Sequence, residues 1–374
     1  MTSRRHFGSV RKRSSGKWQA TYRHEGSLYS VGTFAAKADA LAYLSSIESD
    51  LRRGAWIDPR SGMVTLRDYA NEWIRQRPDL AVRTIELYVY LLRQHINPAL
   101  GDIYLSALVP SGIRGWHAEL SSRHPSTAAK CYRLLSSILR TAVTDGLILS
   151  SPCKVDGAGI ERPIERPIAT LAEIESLTLA MPEHLRLIVP LATWCQLRRG
   201  EILGLRRKDV DALHLKIRVE QSRTFTMEGR SIVKQPKTAA GHRNLAVPPF
   251  LMTQIVEHLE RFTGGTPDSL VFTGKTGVPL MRNVLQATWV RARSTVGRTD
   301  LHLHDLRHTG LTLAAATGAT TAELMHRAGH SSAAAALRYQ HATQDRDRVL
   351  ADALEVLVKS SEVIPLLKER RATY

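Results

Sequence analysis

The sequence predicts a multidomain protein, mainly α-helical with small β-sheets, on three observations. The chain has 374 residues, and at roughly 100 to 200 residues per domain that length implies two or three domains. Apolar residues recur at helical spacing through most of the chain, whereas period-two alternation is confined to short runs. Two stretches containing Pro and Gly, 56–62 and 150–167, interrupt both patterns and read as boundaries. Hydrophobic residues at 43% and charged residues at 23% exclude disorder of the whole chain.

Residues 1–56 are expected to form a three-stranded sheet plus a helix. Trp18, Ala20 and Tyr22 alternate with Gln19, Thr21 and Arg23, His24-Glu25-Gly26 supplies turn chemistry, and Leu28 to Val31 resumes an extended pattern. Leu41, Leu44, Ile47 and Leu51 then mark a helix face that Gly54 can close. Residues 63–152 read as a four-helix bundle. Thr65-x-x-Asp68 caps the first helix, Ile85 to Ile96 carries the second, Ile113, Trp116 and Leu120 the third, and Ala129 to Val143 the fourth. A mixed α+β domain is placed at 166–345. It opens with Thr170-x-x-Glu173, has strands at 213–219, 231–234 and 244–247, and returns to helices to about residue 357. Residues 346–374 are expected to form a helix and tail, with Val349, Leu350, Ala353 and Leu357 on one apolar face.

The formal charge is +17, distributed as +6, +3 and +8 over residues 1–60, 61–160 and 161–374. An excess spread in this way points to a polyanion touched by several regions, most simply nucleic acid, rather than to a basic tail. Arg11, Lys12, Arg13, Lys17 and Arg23 lie on or before the N-terminal hairpin, and a basic ribbon of this kind can enter a DNA groove. The plainer reading is a solvated basic surface. Cys131, Cys153 and Cys195 are too few and scattered for a disulfide framework or a Cys-rich zinc site, which fits a reducing cytoplasm. No window of about 18 apolar residues suggests a membrane span, and no apolar run follows the basic start, so export is not expected.

Single motifs in the third domain carry little weight. His304 and Arg307 at i, i+3 are a spacing that chance supplies in a chain rich in both residues. His302, His304 and His308 could share a metal ion, but no HExxH pattern or carboxylate cluster completes a shell. Arg198 alone reads as a helix-surface ion pair with Glu201, and Tyr339 alone as an amphipathic-helix tyrosine beside Leu337.

The order of segments is more specific. Gln196-Leu197-Arg198-Arg199-Gly200-Glu201 is followed by Lys237-Thr238 between strands, then His304-Asp305-Leu306-Arg307-His308-Thr309, then Ala328-Gly329-His330-Ser331-Ser332, then Tyr339. This succession resembles the tyrosine recombinase, or phage integrase, family over about residues 166–345. The four-helix unit resembles its core-binding domain, and residues 1–56 resemble the arm-site binding domain of phage-type integrases. Gln196 stands where the family often has Gly, and Ala328 where it often has Leu.

The resemblance implies a site-specific recombinase with six catalytic residues: Arg198, Lys237, His304, Arg307, His330 and Tyr339. Attack on a phosphodiester builds negative charge, so a catalyst without metal needs fixed cations at the non-bridging oxygens, and arginines can donate to two oxygens at once. Tyr339 would attack phosphorus, leaving a 3′-phosphotyrosine and a free 5′-hydroxyl. His304 would accept or relay the phenol proton, Lys237 would protonate the departing 5′-oxygen, and His330 would hydrogen-bond the phosphate. No cofactor, metal or ATP is implied. The implied partners are duplex DNA with core and arm attachment sites, a homotetramer, an excisionase and a host DNA-bending protein. The helix after Tyr339 is implied to dock on a neighbouring subunit, with packing in its own chain as the alternative. A DNA-binding regulator that keeps the fold without strand exchange, a His-metal nuclease and a type IB topoisomerase are the competing readings.

Overall fold

The computed structural model describes residues 7–54, 56–58, 60–161, 166–235, 241–274, 277–329, 332–337 and 339, together with 352 and 355. The chain divides into two compact units, 1–163 and 164–374.

The first unit opens with an antiparallel sheet in the order β1 (Ser9–Lys12), β2 (Trp18–His24), β3 (Ser27–Phe34), backed by α1 (Lys37–Arg52). Alternation along β2 sends Ala20 and Tyr22 into a core with Tyr29, Ala40 and Leu44. The chain after α1 stays on this core. Trp56 Nε1 donates to the Tyr22 hydroxyl at 2.9 Å, Tyr29 donates to Asp58 at 2.8 Å, and the Arg60 guanidinium lies 4.5 Å over the Tyr29 ring.

Helices α2 (Leu66–Arg75), α3 (Val82–Leu91), α4 (Asn97–Leu100), α5 (Pro110–Arg123) and α6 (Pro125–Thr144) make up the bundle. Thr65 caps α2 by accepting from the Asp68 amide at 3.1 Å. A π-helical turn, Leu92–Ile96, joins α3 to α4 just ahead of Pro98, where the missing N–H would otherwise break an α-helical ladder. Leu66, Trp73, Ile96, Ile113, Leu135, Ile138 and Leu139 fill the core. Residues 153–161 lie along the bundle: Val155 N donates to the Tyr132 hydroxyl at 2.8 Å, and Arg133 donates to Gly159 O at 2.6 Å.

The second unit begins with α7 (Leu171–Ala180), capped by Thr170 and Glu173 as the sequence predicts, then α8 (Ile188–Trp194) and α9 (Arg199–Gly204). β4 (Val210–Asp211), β5 (Lys216–Val219) and β8 (Arg243–Ala246) form one sheet, and β6 (Ser222–Phe225) and β7 (Ser231–Lys234) a separate ribbon. The strand expected at 213–219 starts only at Lys216. Leu215 takes a left-handed φ of +51°, Asp211 accepts from the His214 amide at 3.1 Å, and Leu213 is 86% exposed, so the apolar alternation there belongs to a turn. Helices α10 (Pro249–Phe262), α11 (Arg282–Thr295), α12 (Leu303–Ala316), α13 (Thr321–Ala328) and α14 (Ala333–Leu337) follow among the described residues, and the helix and tail expected at 346–374 lie, but for 352 and 355, outside them. Among the described residues no helix is long and apolar enough to cross a membrane.

Candidate active site

The apolar helix α8 ends at Cys195, and the chain turns through Gln196 at φ +49°. A left-handed residue with a Cβ is strained, and Gln196 offsets this with side-chain bonds. Its Nε2 donates to Thr193 O at 3.0 Å and to Gly310 O at 3.4 Å, while its Oε1 accepts from Arg327 Nε at 2.7 Å. A glycine would relieve the φ and lose these bonds. The turn delivers Arg198 to the N-terminus of α9, where Glu201 Oε2 accepts from the Arg198 amide at 2.7 Å and Oε1 from its guanidinium at 3.0 Å.

The expected Arg198–Glu201 pair therefore exists, within a larger assembly. Arg243 on β8 approaches the same carboxylate as a fork, at 3.0 and 2.9 Å, with its side chain 1% exposed. Burial works to raise the Glu201 pKa, but the hydrogen bonds and charges of Arg243 and Arg198 prevail and hold it below the usual carboxylate range. The other arm of Arg198 donates to Gly329 O at 2.8 Å.

Helix α12 contributes the next residues. Arg307 is 2% exposed, and its two terminal nitrogens donate to the carbonyls of Gln196 and Ala328. Burial, then the Arg198 charge, pull its pKa down to about 9, opposed by Glu201, so the guanidinium keeps its charge at neutral pH. Asp305, fully buried two residues earlier, accepts from Arg166 at 2.8 Å and from the His302 amide at 2.7 Å, which fixes the start of the helix. His304 is exposed at the surface of the cluster. Desolvation by the surrounding protein, then the charges of Arg307, Arg166 and Arg198, lower its pKa to about 4, so the imidazole is neutral at physiological pH.

That depression has a testable sign. The ordinary imidazole value is about 6.5, so between there and about 4 the unfolded chain binds the His304 proton and the folded chain does not. Stability is lost as pH falls through this window. His304→Gln should remove that component: the gap between wild-type and variant urea midpoints should change from pH 7 to pH 4 in favour of the variant. Parallel midpoint-against-pH curves would contradict it.

Thr320 and Glu323 cap α13 as the sequence predicts, and Gly329 at φ +56° closes it. Arg198 and Arg307 thus both hold the 328–329 turn. Tyr339 is 5% exposed, packed with Leu311, Ala315, Leu324, Ala328 and Ala336. Its hydroxyl lies 2.6 Å from Nδ1 of His308, and the His308 ring stands edge-on to that of His304 at 5.0 Å. Arg198, His304, Arg307 and Tyr339 therefore share one cluster, while Lys237 and His330 lie outside the described residues. Sequence pattern marks His308 only as a metal ligand and gives Arg243 no role. Its position next to Arg307, one turn beyond His304, was the available signal for His308; Arg243, 42 residues from Glu201, had none.

In the N-terminal sheet, Arg11, Lys12, Arg13, Lys17 and Arg23 are all exposed. Arg11 pairs across from Gln19 and Arg23 from Leu28, on the face away from α1 that also carries the Ser9–Thr21 and Gln19–Ser30 hydrogen bonds. Lys12 is on the other side, with Nζ 5.8 Å over the Trp18 ring, and the Arg13 amide donates to Lys17 O in the connecting turn.

Residues 169–346 match the model described as the phage integrase family, residues 6–53 that of the phage integrase N-terminal domain, and residues 65–121 that of the phage integrase N-terminal SAM-like domain. The chain is 40% identical to the putative prophage phiRv2 integrase of Mycobacterium tuberculosis, over 96% of this chain and 98% of that one. It is 32% identical to the integrase of Mycobacterium phage L5, over 96% and 100%. In fold it is similar to the Tn1549 transposon integrase in complex with transposon right end DNA, at a TM-score of 0.68 and 21% identity over 78% of this chain and 100% of that one. It is also similar to a lambda integrase dimer bound to a COC′ core site, at 0.59 and 19% over 90% and 96%. With the sequence relatives spanning nearly its whole length and the family model covering residues 169–346, the chain belongs to the phage integrase family of tyrosine recombinases.

Proposed function

We propose that in this site-specific DNA recombinase Tyr339 attacks a backbone phosphorus held between the guanidiniums of Arg198 and Arg307. The Tyr339 oxygen–phosphorus bond forms as the phosphorus–5′-oxygen bond breaks, leaving a 3′-phosphotyrosine that a 5′-hydroxyl from another strand later attacks. The phosphotyrosine conserves the cleaved bond for rejoining, so no nucleotide is consumed. His304, held neutral among cations, relays a proton. Lys237 serves as general acid to the 5′-oxygen, and His330 hydrogen-bonds the phosphate. The observation that carries the reading is the convergence of two guanidiniums on the 328–329 turn, in the unit that buries the Tyr339 hydroxyl. Arginines here outnumber the carboxylates that face them, an electrostatic deficit that a phosphodiester completes. Trapping on a nicked duplex, proteolysis and mass spectrometry test it: the DNA-linked peptide must contain Tyr339, and a link at any other side chain would refute the assignment.

The substrate we propose is duplex DNA with core and arm attachment sites, recombined in the cytoplasm by a homotetramer in which the segment after residue 345 docks on a neighbouring subunit. An excisionase and a host DNA-bending protein set the direction. The fold similarity to a lambda integrase tetramer bound to a Holliday junction, at a TM-score of 0.57, supports the architecture. In the N-terminal domain Arg11 and Arg23 face arm DNA across the polar side of the sheet, while Lys12, Arg13 and Lys17 lie near phosphates. The double substitution Arg11→Ala/Arg23→Ala should flatten the slope of log K against log salt for arm-site DNA by about 2, at about one per phosphate contact. An unchanged slope would assign that face elsewhere.

A further inference from the structure

Among the described residues that the proposed mechanism leaves idle, His308 is in contact with a reacting atom. It follows Arg307 on α12, is half-buried, and stacks at a 36° tilt against the Tyr339 ring with centroids 5.7 Å apart. The Tyr339 hydroxyl lies 2.6 Å from its Nδ1, a nitrogen that accepts when the ring carries its proton on Nε2. A phenol with a reference pKa of about 10 is ionised to only about one part in a thousand at pH 7, so it needs an acceptor within hydrogen-bond reach at the moment of attack.

We infer that His308 is a catalytic residue, the first acceptor of the nucleophile's proton. The inference rests on reading Tyr339 as the nucleophile. As the Tyr339 oxygen–phosphorus bond forms and the phosphorus–5′-oxygen bond breaks, the phenol proton passes to His308 Nδ1, and the 5′-oxygen takes its proton from the separate general acid. On rejoining, the imidazolium returns the proton to the departing phenol oxygen. His304, edge-on at 5.0 Å, is the next imidazole outward and suits a relay role.

The same geometry couples activation to substrate. A proton on His308 would add a cation beside Arg307, whose field already reaches Tyr339, so without DNA the phenol keeps its proton. A phosphodiester between the guanidiniums brings a negative charge that offsets them and lets the imidazolium form. The nucleophile is then armed by the group it attacks, which guards against premature chemistry.

The test is single-turnover adduct formation by the full-length protein on a nicked suicide duplex. His308→Ala should slow adduct formation by about 100-fold, the lower end for general-base loss, with duplex affinity within about twofold of wild type. His308→Asn, which can still accept a hydrogen bond but cannot retain the proton, should remain slow and reports independently if the alanine variant fails to fold. Added imidazoles should restore the alanine variant, with rates that rise with the basicity of the added base. Wild-type rate in His308→Ala, full recovery in His308→Asn, or no response to imidazoles would each overturn the inference. Tyr339→Phe is the control: adduct from that variant would unseat the nucleophile itself, whereas a dead Tyr339→Phe beside an unimpaired His308→Ala would unseat only His308.

Discussion

Arg307→Lys should lose cleavage by about 10²- to 10³-fold, the scale for removing one preorganised donor from a developing oxyanion, while binding to duplex DNA changes little. The guanidinium is 2% exposed and forks onto the carbonyls of Gln196 and Ala328. Gln196 lies two residues before Arg198, and Ala328 precedes Gly329, which holds the other arm of Arg198. One planar cation therefore ties together the two loops that would shape the proposed phosphate site. A lysine keeps the charge but offers a single rotatable ammonium in place of the fork, and it cannot reach two carbonyls and two phosphate oxygens in one geometry. Arg307→Ala should be worse, because each buried carbonyl left without a donor costs about 1–3 kcal/mol. Binding should survive both changes, since affinity for DNA is shared among many phosphate contacts. Adduct formation by Arg307→Lys within tenfold of wild type would show that charge alone is needed there.

The parts of this arrangement that sequence could reveal are those set by neighbours in the chain. Thr170 with Glu173, and Thr320 with Glu323, announce their helices because cap and reciprocating carboxylate are three residues apart, and Gly329 announces a left-handed stop. Local pattern also misled. Leu213, Leu215, Ile217 and Val219 alternate like a strand, yet the first two belong to a turn, because period two records spacing and not what lies opposite. β6 went unseen because Ser222, Arg223 and Thr224 offer no apolar alternation, and its pairing with β7 and contact with α9 define it.

In the site, Arg198, His304, Arg307 and Tyr339 could be picked out by their order, since each sits in a recognisable segment. What the order could not show is how they are held. Glu201 looks like the partner of Arg198 alone until β8 brings Arg243 onto the same carboxylate. Gln196 looks like a loss of backbone freedom until its amide is seen bridging Thr193, Gly310 and Arg327. These are tertiary pairings between distant segments, and no local propensity encodes them.

Gly310→Ala should prevent the second unit from folding stably, although the position is helical and alanine is the better helix former by about 1 kcal/mol. α12 crosses α8 so closely that a Cβ on residue 310 would stand 1.8 Å from the Thr193 carbonyl oxygen and 2.8 Å from its carbon, with Gln196 Nε2 at 3.2 Å. Backbone cannot turn aside as a flexible side-chain tip could. The helices must separate, and α12 would then carry Arg307 away from Gln196 while breaking the amide contact that steadies the left-handed turn before Arg198. Overpacking in cores costs about 1–3 kcal/mol and more where nothing can yield, so a loss at or beyond that upper end is expected, together with loss of cleavage. Gly115→Ala supplies the contrast. That glycine is exposed within α5, a Cβ there meets nothing within 4 Å, and the substitution should stabilise the first unit by about 0.4–1 kcal/mol. Denaturant unfolding followed by limited proteolysis assigns each change to its unit. If Gly310→Ala unfolded at the wild-type midpoint with its second unit still protected, the close crossing of α8 and α12 would not be what sets the position of Arg307.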